Sequence, residues 1–470
     1  MSPGPPATTA AASGPGGAGR ATDRTGPGGA CPGCGGSHPE ASTRVVIGHD
    51  ALDALGAFLD EADWGQVVLV SDANTDEAIA DTLARRLAGA GRRVTRCSFP
   101  ERSGLVADRA ATEAVRAALR SGAADGAVVA GSGTLNDITR YATHLEAVDY
   151  LSVPTAASMD GYASGVAAMQ FDGLKVTFPA QAPLGVFADS RVLAAAPAEM
   201  TSWGLGDLLG KITARFDWVL SEAVTAEVYC PVLADRVAGP MQRCAKEPGA
   251  LLAGDEDGIS TLVAGLVESG ITMAMAGSSR PASGAEHHFS HFWDLLAYRG
   301  LRDHAPHGLQ VAHATATVMR LQIETLVHLD DELRWPPGRR SPDEDPWLGE
   351  LAAGEQIDSV RNEKAEMWEA FAPRWPPPAA ALADARSRLE SATDDFPLVS
   401  AALRALGVTS TGRSVDPSPR RSAGFSLDLP TLRATVRFAN RMRSRFSALD
   451  LLDSQGRIDS LAAGLTAPRA

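Results

Sequence analysis

Cysteine is scarce in this chain. Five in 470 residues are too few for a disulfide framework and point to a reducing, cytosolic setting. No uninterrupted apolar run approaches the ~20 residues that a bilayer crossing requires, and the N-terminal stretch lacks a basic segment followed by an apolar one. Neither membrane insertion nor a secretory signal is therefore expected. Long Lys/Arg runs are absent as well: 43 basic residues stand against 57 acidic ones, for a formal net charge of −14. That balance argues against nucleic acid or an anionic membrane surface as the main partner. A small anionic ligand stays open, because its binding depends on local charge.

What is present is a soluble globular composition, 44% hydrophobic and 21% charged, in a length that suits two or three domains. Residues 1–42 are rich in Gly, Pro, Ala and Ser. They offer almost nothing apolar to set against ordering entropy, so a disordered tail is expected there. Within it, Cys31, Cys34 and His38 ("CPGCGGSH") have the spacing of half a zinc knuckle. Structural zinc takes four ligands, and no second C-x-x-C or H-x-H follows nearby, so the tail reading is preferred.

From "TRVVIG" onward, short apolar or β-branched runs such as "VVLV", "RVTRCSF", "GAVVAGSG" and "YLSVPT" alternate with amphipathic helical stretches. The alternation predicts βαβ units and a parallel sheet: an α/β, Rossmann-like nucleotide-binding domain over residues 43–196. "LKVTFPAQAPLGVFADSRVL" reads as a strand pair with Pro-marked connections. Beyond it, apolar residues recur at helical spacing nearly to the C-terminus, predicting an all-α domain over 197–470. "RWPPGRRSPDEDPW" and "TSTGRSVDPSPRRSAG" read as loops within it. A ligand cleft is expected between the two domains, outside the strand carboxyl ends.

Five stretches carry polar chemistry. In "VVAGSGTLND", Gly131, Gly133 and Thr134 follow a buried strand and open a helix, an arrangement that lets backbone N–H groups approach a pyrophosphate. Asn136 and Asp137 would cap that helix, or Asp137 would orient the loop. The loop "SVPTAASMDGYASG" offers the hydroxyls of Thr155, Ser158 and Ser164 as uncharged donors and Asp160 as an acceptor. In "GLGDLLGK", Asp207 and Lys211 share one helix face at i, i+4, either as a simple ion pair or with Asp207 as a hard metal ligand. "SGAEHHFSH" stacks His287 and His291 at the same spacing, with His288 about 100° away. "HAPHGLQVAH" adds His304, His307 and His313. None is compelling singly; each has a bland reading as a turn, an ion pair or a satisfied polar residue.

Taken in order, "GSGTLND", "SVPTAASMDGYAS", "GLGDLLGK", "ASGAEHHFSHFWD" and "HGLQVA" resemble the sn-glycerol-1-phosphate dehydrogenases. These belong to the iron-containing alcohol dehydrogenase and dehydroquinate synthase superfamily, and the match is to the bacterial, AraM-like branch. The resemblance spans roughly residues 43–330. It implies metal ligands at Asp207, His287 and His307, with the metal in the helical domain. It implies dinucleotide contacts at Asp72, Gly133, Thr134, Leu135, Asn136, Asp137, Thr155, Ser158 and Ser164, with Ser71 or Asn74 as substitutes for Asp72. Asp160 and His291 would contact substrate, and Asp207 both substrate and metal.

The implied reaction is reversible NAD(P)H-linked reduction of dihydroxyacetone phosphate to sn-glycerol 1-phosphate by a cytoplasmic homo-oligomer. Zinc or nickel would polarise the ketone. His288 would belong to neither metal nor substrate, packing or facing water instead. A polyol dehydrogenase and a sugar phosphate cyclase of the same superfamily stay open; the cyclases usually have Glu where this chain has Asp207.

Overall fold

The computed structural model describes residues 30–39, 42–171, 174–333, 355–408 and 425–465. Most of the expected N-terminal tail, and the loops expected at 334–347 and 409–424, lie outside them. Six strands form one parallel sheet: β1 (Arg44–Ile47), β2 (Gln66–Asp72), β3 (Arg93–Phe99), β4 (Gly126–Gly131), β5 (Asp149–Pro154) and β8 (Gly185–Ala188). Their order is β1-β8-β5-β4-β2-β3. Strand β4 is buried at every position, as expected for a parallel strand covered on both faces.

The period of two in β2 divides its side chains between two cores. Val67 and Leu69 pack with Leu55 and Leu59 of α1 (Ala51–Glu61) and Leu83 of α2 (Asp81–Gly89). Val68 and Val70 pack with Val115 of α3 (Arg109–Gly122) and Ile138 of α4 (Gly133–Glu146) on the other face. The sheet is thus wound with helices on both sides. From β2 the chain steps outward to β3, then returns to place β4 on the opposite side of β2. The carboxyl ends of β2 and β4, at Asp72 and Gly131, therefore flank a topological switch point, where open α/β sheets bind ligands.

The pair expected within residues 174–193 is not formed. Instead β7 (Leu174–Pro179) turns back antiparallel on β6 (Val166–Phe171), while β8 enters the main sheet between β1 and β5. Pro179 and Pro183 bracket the break between β7 and β8, and the fully buried "GVFA" requires cover on both faces.

From Ser190 the described residues are predominantly helical: α5 (Ser190–Ala195), α6 (Ala198–Leu209), α7 (Lys211–Thr225), α8 (Pro231–Lys246), α9 (Pro248–Leu252), α10 (Glu256–Ala276), α11 (Ala285–Tyr298) and α12 (His307–Val327). After these come α13 (Glu355–Phe371), α14 (Ala379–Ala392), α15 (Phe396–Ala405), α16 (Leu429–Phe438), α17 (Ala448–Ser454) and α18 (Ile458–Gly464). Helix α10 has the length and hydropathy of a membrane span, yet 61% of its most apolar window is buried inside the fold. Its Leu262, Val263 and Leu266 belong to the main helical core.

Two glycines fix how α6 meets α12. A Cβ on Gly206 would stand 2.5 Å from the Gly308 carbonyl oxygen, and one on Gly308 would stand 2.0 Å from that of Trp203. Only glycine at both positions permits this approach, which brings Asp207 of α6 beside His307 of α12.

Deep in α12, His313 is fully buried and stacks on Phe425 with ring centroids 4.5 Å apart. Among the described residues neither of its ring nitrogens has a hydrogen-bond partner. Burial, reinforced by Arg302, pushes its pKa from 6.5 down to about 3. The neutral ring therefore contributes stability that is full above pH 6.5 and is lost progressively as pH falls toward 3. His313→Leu should flatten that acid loss by on the order of a few kcal/mol, followed as denaturant midpoints across the pH range. An unchanged pH slope would refute the assignment.

Candidate active site

The loop after β4 is shaped by contacts that leave its backbone facing the switch point. A Cβ on Gly131 would lie 2.5 Å from Leu135 Cδ1, so the turn admits no side chain there. Asn136 staples this loop: its Nδ2 donates to the carbonyls of Gly131 and Ser132, each at 3.0 Å, and its Oδ1 accepts from Ser152 at 2.7 Å. Leu135 is buried in the sheet core. Both side chains are thus engaged within the fold, and they hold Gly133 and Thr134 at the helix start. Asp137 pairs with Arg140 at 2.8 Å, and burial outweighs the attraction of Arg140 and Lys175 to raise its pKa.

Asp72 ends β2, and its Oδ1 accepts from the backbone of Asn74 (3.0 Å) and Thr75 (2.8 Å). Its two possible substitutes are turned elsewhere: Ser71 donates to Asp76 at 2.6 Å and Asn74 to the Arg102 carbonyl at 2.8 Å. Thr155 and Ser158 follow the end of β5 and are nearly buried. Ser164 engages its hydroxyl in its own turn, with Val166 N donating to it at 3.1 Å. Arg140, wholly buried, holds this loop by donating to Val166 O at 3.0 Å and to the carbonyls of Gly161 and Tyr162.

Asp207, His287 and His307 offer one ligand atom each, all within 4.8 Å of one another. The hydrogen bonds around them select the tautomers. Glu286 Oε1 lies 2.8 Å from His287 Nδ1, so that nitrogen carries the proton and Nε2, 3.8 Å from Asp207 Oδ1, is free to ligate. Gln310 Nε2 donates to Asp294 and to the Ala305 carbonyl, leaving Oε1 to accept from Ser290 at 3.0 Å. Ser290 must then accept from His307 Nδ1, 3.1 Å away, which again frees Nε2. Burial, helped by Lys175, keeps His307 neutral.

Charge completes the case for a cation. Lys211 Nζ lies 2.7 Å from Asp160 Oδ2 and 2.8 Å from Asp207 Oδ1. Burial lowers its pKa, but the two carboxylates outweigh burial and keep it charged. Burial raises Glu286, yet His287, the Gly284 N–H and Thr213 hold it below the ordinary carboxylate range. Asp160, Asp207 and Glu286 thus gather three acidic groups around the single ammonium of Lys211, beside the imidazoles of His287 and His307. A divalent ion fits that donor set, and its open coordination positions suit a catalytic site.

Around His291 basic side chains dominate. Burial, then Arg443 and Lys175, hold His291 well below its ordinary pKa, so both cations are within electrostatic reach of it. Arg443 Nη2 donates to Thr177 of β7 at 3.2 Å. His288 is buried rather than facing water, pressed by Lys364, Arg443, Arg445 and Arg280 and away from the ligand set. His304 is exposed at the surface. Sequence reasoning missed Glu286, Ser290, Lys175 and Arg443 and saw Lys211 only as an ion-pair partner. Glu286 adjoins His287 in "AEHH" and the arginines stand in "NRMRSRF"; both were visible but had no partner in sequence.

Residues 46–197 match the family described as iron-containing alcohol dehydrogenase. A glycerol-1-phosphate dehydrogenase, NAD(P)+, of Bacillus velezensis is 35% identical over 60% of this chain and 72% of its own. One from Geobacillus thermodenitrificans is 34% identical over 65% of this chain and 75% of its own. Among solved structures, an iron-containing alcohol dehydrogenase from Thermococcus thioreducens aligns with TM-score 0.56 at 14% identity, covering 90% of this chain and 98% of that one. Glycerol dehydrogenase from Schizosaccharomyces pombe aligns with TM-score 0.51 at 16% identity, covering 90% of each chain. These structural likenesses carry the two-part fold.

Glu286→Gln keeps the side-chain volume but removes the charge that fixes the His287 tautomer. It should weaken divalent-metal affinity by about 10–100-fold, read by competition with a chromophoric chelator at constant pH. Metal retention equal to the parent protein would place the ion on other ligands.

Proposed function

The chain belongs to the glycerol-1-phosphate dehydrogenase family, and on that premise we propose that it reduces dihydroxyacetone phosphate to sn-glycerol 1-phosphate, reversibly, with NADH or NADPH. The observation that carries this reading is the juxtaposition of opposite fields. The ligand atoms of Asp207, His287 and His307 lie within 4.8 Å of one another, and the cations Lys175 and Arg443 both act on His291, one helical turn from His287. A phosphorylated ketone has the matching polarity: a carbonyl for a metal and a dianion for the cations.

Asp207, His287 and His307 hold a divalent ion, zinc or nickel, in this reading. The backbone of Gly133 and Thr134 takes the pyrophosphate at the positive end of α4, and Asp72 meets the adenosine ribose. When bound, the ion supplies Lewis acidity at the ketone and the dinucleotide supplies the hydride. The remaining work falls to the chain. Lys211 ties Asp207 to Asp160, whose N–H also donates to Asp207 at 3.0 Å. His291, one helical turn beyond His287, is neutral at physiological pH and hydrogen-bonds the substrate oxygen at which the proton is delivered. Lys175 and Asp160 come from residues 43–196 and the ligand set from 197–470, so both domains in this assignment close on the substrate. Five free cysteines accord with a cytoplasmic setting.

The decisive assay is metal-dependent NAD(P)H oxidation with dihydroxyacetone phosphate, with chiral analysis of the product. Equal turnover of dihydroxyacetone and its phosphate would overturn the substrate assignment. In the same assay, Lys175→Ala and Arg443→Ala should each raise KM for the phosphate ester by roughly 10–100-fold, the worth of a hydrogen bond to a charged group. Turnover of unphosphorylated dihydroxyacetone should hardly change. A matching loss on both substrates would remove these two residues from phosphate recognition.

A further inference from the structure

The N-terminal segment holds a second donor set far from the first in sequence. Residues 30–39 are described and packed on the helical part of the fold, a difference from the disordered tail expected there. The reason lies 199 residues away: Cys230, a lone cysteine in the sequence, stands 3.6 Å from Cys31, sulfur to sulfur. Cys34 Sγ lies 3.3 Å from His38 Nε2, and the ligand atoms of Cys31, Cys34, His38 and Cys230 are all within 4.8 Å of one another. We propose that these four residues bind a structural zinc ion that clamps the N-terminal segment to the helical domain.

The distances distinguish this from the obvious alternative. A disulfide needs sulfurs about 2.05 Å apart. A tetrahedral zinc with Zn–S near 2.3 Å and Zn–N near 2.0 Å sets its ligands ~3.8 Å apart for two sulfurs and ~3.6 Å for sulfur and nitrogen. The observed edges lie near the second pattern. The turn is built to aim both early cysteines at one point: Gly35 N donates to Cys31 O at 2.8 Å and Cys31 N to Gly36 O at 2.6 Å, with Gly35 at φ +71°. Gly33 fits against α8, where a Cβ would meet Val232 at 2.8 Å.

His38 has the outer contact that metal-bound histidines have. Its Nδ1 lies 3.1 Å from the Met275 carbonyl, which fixes the proton there and turns Nε2 toward the sulfurs. Cys230 occupies the N-cap position of α8. Four protein ligands leave no position for substrate, so the site is structural. It joins the α7–α8 connection to the end of α10, and the two cysteines pack on the core that contains Tyr229, Leu233 and Leu451.

The test uses the full-length protein purified under reducing conditions. Metal analysis should give two ions per chain. His287→Ala should lose one and keep one zinc; Cys31→Ser with Cys34→Ser should lose that other zinc. Cobalt substitution of the His287→Ala variant should show the intense thiolate-to-cobalt charge transfer of a tetrahedral sulfur site. Should the cysteine variant fail to fold, the parent protein still decides the matter, because a thiol-specific mercurial should release one zinc per chain. No zinc release, immediate reaction of all five thiols with a disulfide reagent, or a Cys31–Cys230 disulfide in the mass spectrum would each overturn the proposal. None of these readouts depends on the dehydrogenase assay, so the two readings fail separately.

Discussion

Lys211 places one buried ammonium between the buried carboxylate of Asp207 and the half-buried one of Asp160, and the candidate site is organised around that contact. Asp160 arrives on a loop of the α/β domain and Asp207 on the first long helix of the helical domain, so the lysine ties the two parts together. Removing three charges from water is costly, and such a group persists only if each member is fully satisfied. Here the Ala282 carbonyl, the Ser269 hydroxyl and the Asp160 N–H complete the shell. Even so, three acidic groups face one ammonium once Glu286 is counted, and that excess is what the proposed cation would answer.

The backbone contacts follow from the same requirement. Asp207 reaches His307 because α6 and α12 cross at Gly206 and Gly308 without side chains between them. It reaches Asp160 because α6 touches the hydroxyl-rich loop at Gly204, where a Cβ would stand 1.9 Å from the Ala157 carbonyl oxygen. Arg140 secures that loop from the opposite side. A glycine in each of these places thus shapes the candidate site, although none supplies a side-chain donor atom.

How much of this was readable in advance depended on whether a signal was local. The alternation of strands and helices is carried by near neighbours, so the parallel sheet was legible. The pairing of β7 with β6 was not, since "VAAMQF" has no strong strand signature and the apolar "GVFA" resembled a hairpin partner. The glycine loop was legible as a turn, but the inward rotation of Asn136 was not, because it depends on Ser152 in the next strand. Cys31 and Cys34 advertised a metal by their spacing, while Cys230 carried no signal that could join it to them. Long-range partners are set by tertiary packing, and composition is silent about them.

The three histidines of "SGAEHHFSH" show what the fold adds to a periodicity. One helix turn separates His287 from His291, and 3.6 residues per turn already sends His288 elsewhere. The fold then gives each ring a different neighbour: a carboxylate for His287, the Lys175 and Arg443 field for His291, and the field of Lys364, Arg443, Arg445 and Arg280 for His288. The carboxylate raises the basicity of a ligand, whereas positive neighbours and burial keep the other two rings uncharged. A neutral ring flanked by cations can donate a hydrogen bond to a substrate oxygen without adding to the charge around the phosphate. The division of labour along this helix is therefore electrostatic in origin, imposed by residues that stand as far away in sequence as Arg443.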